Sequence, residues 1–154
     1  MGRTLTSLNL FYEDFQLGDR FRTESRVVVQ DDIDVYSKLS GDSHPMHTDA
    51  AVAAKEIFGA LTAQGCLTLS MATGLEYSLI GPDISGILAF SGMDRVRFLR
   101  PVFLGDAVRL EGEVTGLEAR SDDRGLVTIH QEIKNQNDET CVVLDKRMFH
   151  KRRQ

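Results

Sequence analysis

One segment limits the architecture of this chain more than any other. From Gly65 to Ile80 the apolar residues Leu67, Leu69, Met71, Ala72, Leu75, Leu79 and Ile80 fall, at 3.6 residues per turn, around much of a helical circumference. A helix apolar on several sides has to be enclosed, so the rest of the chain must supply a wrap. Ala63, Gly65, Ser70, Ala72 and Gly74 are small enough to let other backbone or a ligand come close to it.

The remainder reads as that wrap. After Gly81-Pro82 the pattern predicts strands over Ile87 to Phe98, Ala107 to Leu117, Leu126 to Lys134 and Thr140 to Phe149. Val108, Leu110, Gly112 and Val114 alternate with Arg109, Glu111, Glu113 and Thr115, as in a sheet with one wet face. The clusters Ser121 to Gly125 and Asn135 to Asp138 are turn chemistry that makes consecutive hairpins of the last three strands.

Before the enclosed helix, Val27-Val28-Val29 marks a strand from Arg20 to Gln30. A helix follows from about Asp32 to Ser40, with Ile33, Tyr36, Val35 and Leu39 as its apolar face and Gly41 suited to the left-handed residue that ends it. Thr48 or Asp49 caps a short second helix from Ala50 to Lys55. Helices first and an antiparallel meander after them predict an α+β fold, an antiparallel β-sheet wrapped around a long buried central helix.

The chain's 154 residues are the size of one domain, and 42% hydrophobic with 27% charged residues is ordinary for a folded water-soluble protein. A net charge of −5 argues against a general nucleic-acid binder, which presents cationic excess to phosphates. The basic run Lys146, Arg147, Lys151, Arg152 and Arg153 reads as a solvated tail end, with a local anion contact as the alternative. Cys66 and Cys141 sit in apolar runs and read as small core residues. No stretch approaches the roughly 18 apolar residues of a membrane span, and none resembles a signal peptide, so the expected location is cytoplasmic with no membrane contact.

Chemistry concentrates in Tyr36-Ser37-Lys38-Leu39-Ser40-Gly41-Asp42-Ser43-His44-Pro45-Met46-His47-Thr48-Asp49. A carboxylate and two imidazoles lie between a helix end and a helix start. Pro45 keeps Asp42 and His47 from being simple neighbours on one helical face, but a bent loop can bring them together to activate a water. Spacing alone leaves other readings open: Asp42 as a turn or capping residue, the histidines as ordinary loop polar groups, or a metal set of His44, His47 and Asp49, whose spacing fits none of the familiar zinc patterns.

These residues resemble the MaoC-like, R-specific enoyl-CoA hydratases, whose loop carries an aromatic residue, a spacer, then Gly-Asp-x-Asn-Pro-aliphatic-His followed by small residues. Here the match is Tyr36, Gly41-Asp42-Ser43-His44-Pro45-Met46-His47, and Ala51, Ala53 and Ala54. The resemblance runs from about Phe15 to Phe149, weaker outside this loop, the helix from Gly65, and the segment Phe98 to Asp106, which looks like the family's crossing between strands. It departs at His44, where the family has Asn.

The resemblance implies a single hot-dog domain over residues 1–154, with its core at about 15–149. It also implies reversible hydration of the 2,3 double bond of an enoyl thioester to the R-3-hydroxyacyl product, as in fatty acid metabolism. Asp42 would be the general base and His47 the donor of a proton to the α-carbon. An ordinary Asp, with a pKa of about 3.9, is a weak base at neutral pH, so this role predicts that Asp42 is buried beside an apolar tunnel. Open N–H groups at the start of the helix at Gly65 would hold the developing enolate. His44, Tyr36 and Gln64 are further substrate-side candidates.

Arg95, Arg97 and Arg100 are candidates for phosphate contact, and otherwise solvent-facing strand residues. No metal and no cofactor is implied beyond the coenzyme A of the substrate, which an acyl carrier protein could replace. The expected assembly is a homodimer or a dimer of dimers. The alternatives are an acyl-CoA thioesterase, and a non-catalytic acyl-thioester-binding subunit.

Overall fold

Four long strands account for most of the second half of the chain, and a computed structural model describes residues 2–154. They are β3 (Ile87–Phe98), β4 (Ala107–Ala119), β5 (Arg124–Lys134) and β6 (Thr140–Lys151). The first half holds β1 (Arg20–Arg22), β2 (Arg26–Val27), α1 (Gln30–Ser40), α2 (Pro45–Thr48), α3 (Ala50–Ala53) and α4 (Gly65–Ile80). The antiparallel sheet runs β1-β4-β5-β6-β3, with β2 also pairing β4. Since β3 pairs with β6 rather than β4, the segment between β3 and β4 crosses from one side of the sheet to the other.

The sheet curls around α4 in the hot-dog arrangement. Leu67, Met71, Ala72 and Leu75 of α4 are buried against Val108, Leu110 and Val114 of β4, Ile129 and Ile133 of β5 and Val142 and Leu144 of β6. Each fully buried Val, Leu or Ile contributes roughly 1.5–3 kcal/mol, so this layer is what holds helix to sheet. The opposite face of α4, with Gly65, Cys66, Ser70, Thr73 and Gly74, is exposed in the single chain. The predicted enclosure on several sides is therefore only half met, and Cys66 is exposed rather than a core residue, whereas Cys141 is buried.

Three expectations for the first half need correction. The single strand from Arg20 breaks in two because the Thr23 hydroxyl accepts the Leu110 N–H at 3.0 Å, taking the place of a main-chain acceptor in the ladder. Helix α1 begins earlier than Asp32, at Gln30, with the Asp32 carboxylate accepting from the Val29 N–H at 3.0 Å. Its buried residues are Ile33 and Ser37, with Tyr36 half-buried, while Val35 is 64% and Leu39 82% exposed. Gly41 does end α1 in the left-handed region, at φ 81°.

Lys146 is not part of a solvated tail. It points inward from β6 and pairs with Glu76 of α4, which also accepts from Gln131 of β5 at 2.9 Å. Arg152 and Arg153 are tied to Glu13 and Asp14. Among the described residues no helix is long and apolar enough to cross a membrane.

Candidate active site

The loop that carries the predicted chemistry folds into two short helical turns. Pro45 is the first residue of α2, where its missing N–H is no loss. The preceding residue, His44, accepts the Met46 N–H on Nδ1 at 3.2 Å. This is the capping bond that an Asn side chain makes at the start of a helix, so His44 keeps that chemistry where the family has Asn. Asp49 caps α3 in the same way, accepting from Ala51 and Val52 at 2.9 and 3.1 Å. The expected helix from Ala50 to Lys55 is α3, shorter at Ala50–Ala53, and α2 is an additional helical turn just before it, over Pro45–Thr48.

His47, on α2, is half-buried and held from below. Its Nδ1 lies 2.7 Å from the carbonyl oxygen of Thr62. A carbonyl only accepts, so Nδ1 carries the proton and Nε2 is the nitrogen left to exchange protons with a ligand. Thr62 is itself fixed, because residues just before α4 pair with the crossing segment: Ala63 N–H donates to Val102 O at 2.8 Å and Leu104 N–H to Leu61 O at 3.1 Å. The crossing expected from Phe98 to Asp106 is therefore also the support of the histidine.

Beside His47 opens a cavity of about 290 Å³, at the lower end of the range for small-ligand sites. Its walls include Met46, Phe58, Ala63, Thr68, Val102 and Val142, and Gly65 and Phe98 also face it. Gly65 is the first residue of α4, and no side chain caps this helix start. The first-turn N–H groups consequently lack intrahelical partners and sit at the positive end of the helix dipole. The Phe98 ring packs directly over Gly65, so that a Cβ there would lie 2.9 Å from it. An apolar pocket with an imidazole on one wall and an open helix head on another can bind an acyl group, exchange a proton with it and support an oxyanion.

Asp42 lies in the loop between α1 and α2, and its carboxylate makes no hydrogen bond or ion pair to another described residue. Contrary to the expectation of burial, it is exposed in the single chain. Tyr36 is near it: partial burial, the Cys66 thiol and the Asp42 charge together hold the phenol above its usual range. Tyr36 faces a second groove of about 290 Å³ between α1 and α4, lined also by Val35, Leu39, Leu67 and Met71. The structure thus gathers His47, Thr62 and Gly65 on one cavity and Asp42 and Tyr36 beside the same helix head, while His44 serves the loop.

Gln64, a substrate-side candidate from the sequence, lies behind the helix head instead of on the cavity wall. It is 2% exposed and its Nε2 donates to Ser37 Oγ at 2.9 Å and to the Asp42 carbonyl at 3.1 Å, leaving Oε1 buried without a partner. Two neutral hydrogen bonds are worth about 1 kcal/mol each, and one orphaned buried oxygen costs about 1–3 kcal/mol. Stability alone therefore does not account for this arrangement.

Arg100 lines the cavity rim and donates to the Thr140 carbonyl at 3.1 Å. Arg95 pairs with Asp145 on the sheet, and Arg97 bonds its neighbour's carbonyl. Among the described residues no three His, Cys, Asp or Glu side chains gather into a group that could hold a metal.

Known proteins fit this geometry. An Archaeoglobus protein described as a monoamine oxidase regulatory protein superposes with a TM-score of 0.86 at 34% identity, over 100% of this chain and 99% of its own. The (R)-specific enoyl-CoA hydratase of Aeromonas caviae is 29% identical over 124 residues, 80% of this chain and 87% of the hydratase. A solved structure of the (R)-hydratase from A. caviae aligns with a TM-score of 0.73 over 88% of this chain and 97% of its own. Protein MaoC of Klebsiella aerogenes is 33% identical over 100 residues, 65% of this chain but only 29% of that longer protein. Residues 14–137 match the family described as the MaoC like domain, and this chain belongs to that family.

Proposed function

We propose that the chain is a hydro-lyase that adds water reversibly to the 2,3 double bond of an enoyl thioester, giving the R-3-hydroxyacyl product. The observation that carries the reading is His47, pinned through Nδ1 to Thr62 on the wall of an apolar cavity that also exposes the uncapped head of α4 at Gly65. Relatives named hydratase or dehydratase support the reaction class.

In the proposed step Asp42 takes a proton from water while the water oxygen bonds to C3. The π electrons move onto the thioester oxygen, where the Gly65 N–H and the helix dipole receive the charge. His47, protonated on Nε2, gives its proton to C2, and the proton on Asp42 returns to it through solvent. The reaction runs backwards as dehydration. Coenzyme A is the carrier the relatives' names favour, with Arg100 at the rim as the nearest cation for its phosphates; no further cofactor enters the scheme.

A single copy leaves Leu88 and Phe90 exposed on β3, an edge strand, and leaves the outer face of α4 open. A second copy pairing along this edge would cover the exposed strand, which supports a homodimer. Incubation with crotonyl-CoA tests the activity. Loss of enoyl absorbance supports hydration, release of free thiol would make the chain a thioesterase, and binding with neither would make it an acyl-thioester-binding subunit.

A further inference from the structure

Gln64 stands at the N-cap position of α4, yet its side chain does not cap the helix. The carboxamide instead turns back across the fold, donating to Ser37 Oγ on α1 and to the Asp42 carbonyl. Because that carbonyl can only accept, the amide nitrogen must face it, and neither Glu nor Met could make the same pair of bonds at neutral pH. Gln64 does not line the cavity, although its neighbours Ala63 and Gly65 both do.

The remaining hydrogen bonds around Asp42 are local. The Asp42 N–H donates to Ser40 Oγ, Ser43 N–H to the Gly41 carbonyl, and Thr48 Oγ1 to the Ser43 carbonyl. Local bonds shape the turn but do not place it relative to α4. Gln64 supplies that placement, 22 residues away in sequence, from the residue adjoining Gly65. The same turning away leaves the helix head open for an oxyanion.

We infer that Gln64 is a positioning residue, one that fixes the main chain of Asp42 beside the head of α4, and with it the reach of the Asp42 carboxylate, without touching substrate. This rests on the assignment of Asp42 as the base in the proposed hydration. Its unpartnered Oε1 fits a residue kept for its two donors rather than for stability.

The experiment compares wild type with Gln64→Ala and Gln64→Glu in the full chain, by crotonyl-CoA kinetics across pH and by amide hydrogen exchange. Gln64→Ala should lower kcat by about tenfold to a hundredfold, the scale of a misplaced catalytic group. KM should change by less than about threefold, since the substrate contacts remain, and exchange should accelerate in residues 41–48 but not in α4. In Gln64→Glu the buried carboxyl has a single O–H to donate, and only while protonated, a form that burial favours, so its activity relative to wild type should rise in part on acidification as one of the two bonds returns. A purely structural role would lower the melting temperature without that pH-dependent recovery. Wild-type kcat in both folded variants, or unchanged exchange at residues 41–48 in Gln64→Ala, would overturn the inference. Absence of hydration by wild type would instead overturn the proposed function and the catalytic part of this role, leaving the exchange result to decide the clamp.

Discussion

Glu76 of α4 and Lys146 of β6 form an ion pair inside the core, with relative exposures of 3% and 5%. Gln131 satisfies the other carboxylate oxygen, and the exposed Phe90 ring lies 5.3 Å from the ammonium. Removing one partner of such a pair strands a buried charge, so Lys146→Met should cost about 3–5 kcal/mol. Adding Glu76→Gln removes the stranded charge while keeping an acceptor for Gln131, and should recover much of that loss. Urea denaturation of the single and double variants measures both; a double variant no more stable than Lys146→Met would refute the account of this pair.

His150 should make stability fall with acidification. It is 2% exposed, burial holds its pKa below the usual histidine range, Nδ1–H donation to the Leu10 carbonyl opposes that shift, and the Lys146 charge adds to it. With the folded pKa depressed, the unfolded chain binds the proton first, so stability drops as pH falls below the unfolded value of about 6.5 and levels off below the folded one. Denaturation midpoints from pH 8 to 5 should show this slope, and His150→Gln should flatten it. An unchanged slope in the variant would place the titration elsewhere.

Gly65 offers a separation of stability from activity. It has helical backbone without a positive φ, so Ala there brings no backbone strain, and its Cβ would meet only the outer edge of the Phe98 ring, at 2.9 Å. The same methyl crowds the approach of a thioester oxygen to the helix head. Gly65→Ala should therefore melt close to wild type and lose about a hundredfold in kcat, the scale of a lost oxyanion donor. Full activity would remove Gly65 from the site.

His44 should tolerate Asn better than Ala. Asn restores an acceptor for the Met46 N–H, whereas Ala leaves the start of α2 uncapped, at a cost of about 1 kcal/mol. Retained turnover and melting temperature in His44→Asn, with a loss of both in His44→Ala, is the expected pattern. Equal behaviour of the two variants would mean that the capping bond does not matter.

How much of this was legible in the chain depended on whether the signal was local. Helix α4 and strand β3 have the predicted limits, Gly65 to Ile80 and Ile87 to Phe98, because periodicity and the Gly81-Pro82 break are read within one segment. Gly41 was equally clear, since a left-handed end to α1 needs only its neighbours. The contacts that build the site were not. The bonds of His47 to Thr62 and of Gln64 to Asp42 span 15 and 22 residues, separations at which no local pattern in the chain pairs the partners. Lys146 looked like part of a basic tail, because a one-dimensional pattern cannot pair it with Glu76, 70 residues away. Val35 and Leu39 looked like core from their spacing, but α1 presents Ile33 and Ser37 inward.

The central claim is that Asp42 and His47 work on one water at the head of α4. Its most direct measurement is crotonyl-CoA hydration by Asp42→Asn and His47→Gln in folded protein whose melting temperature matches wild type. Each variant should lose roughly two orders of magnitude or more in turnover. Wild-type rates in both would contradict the account.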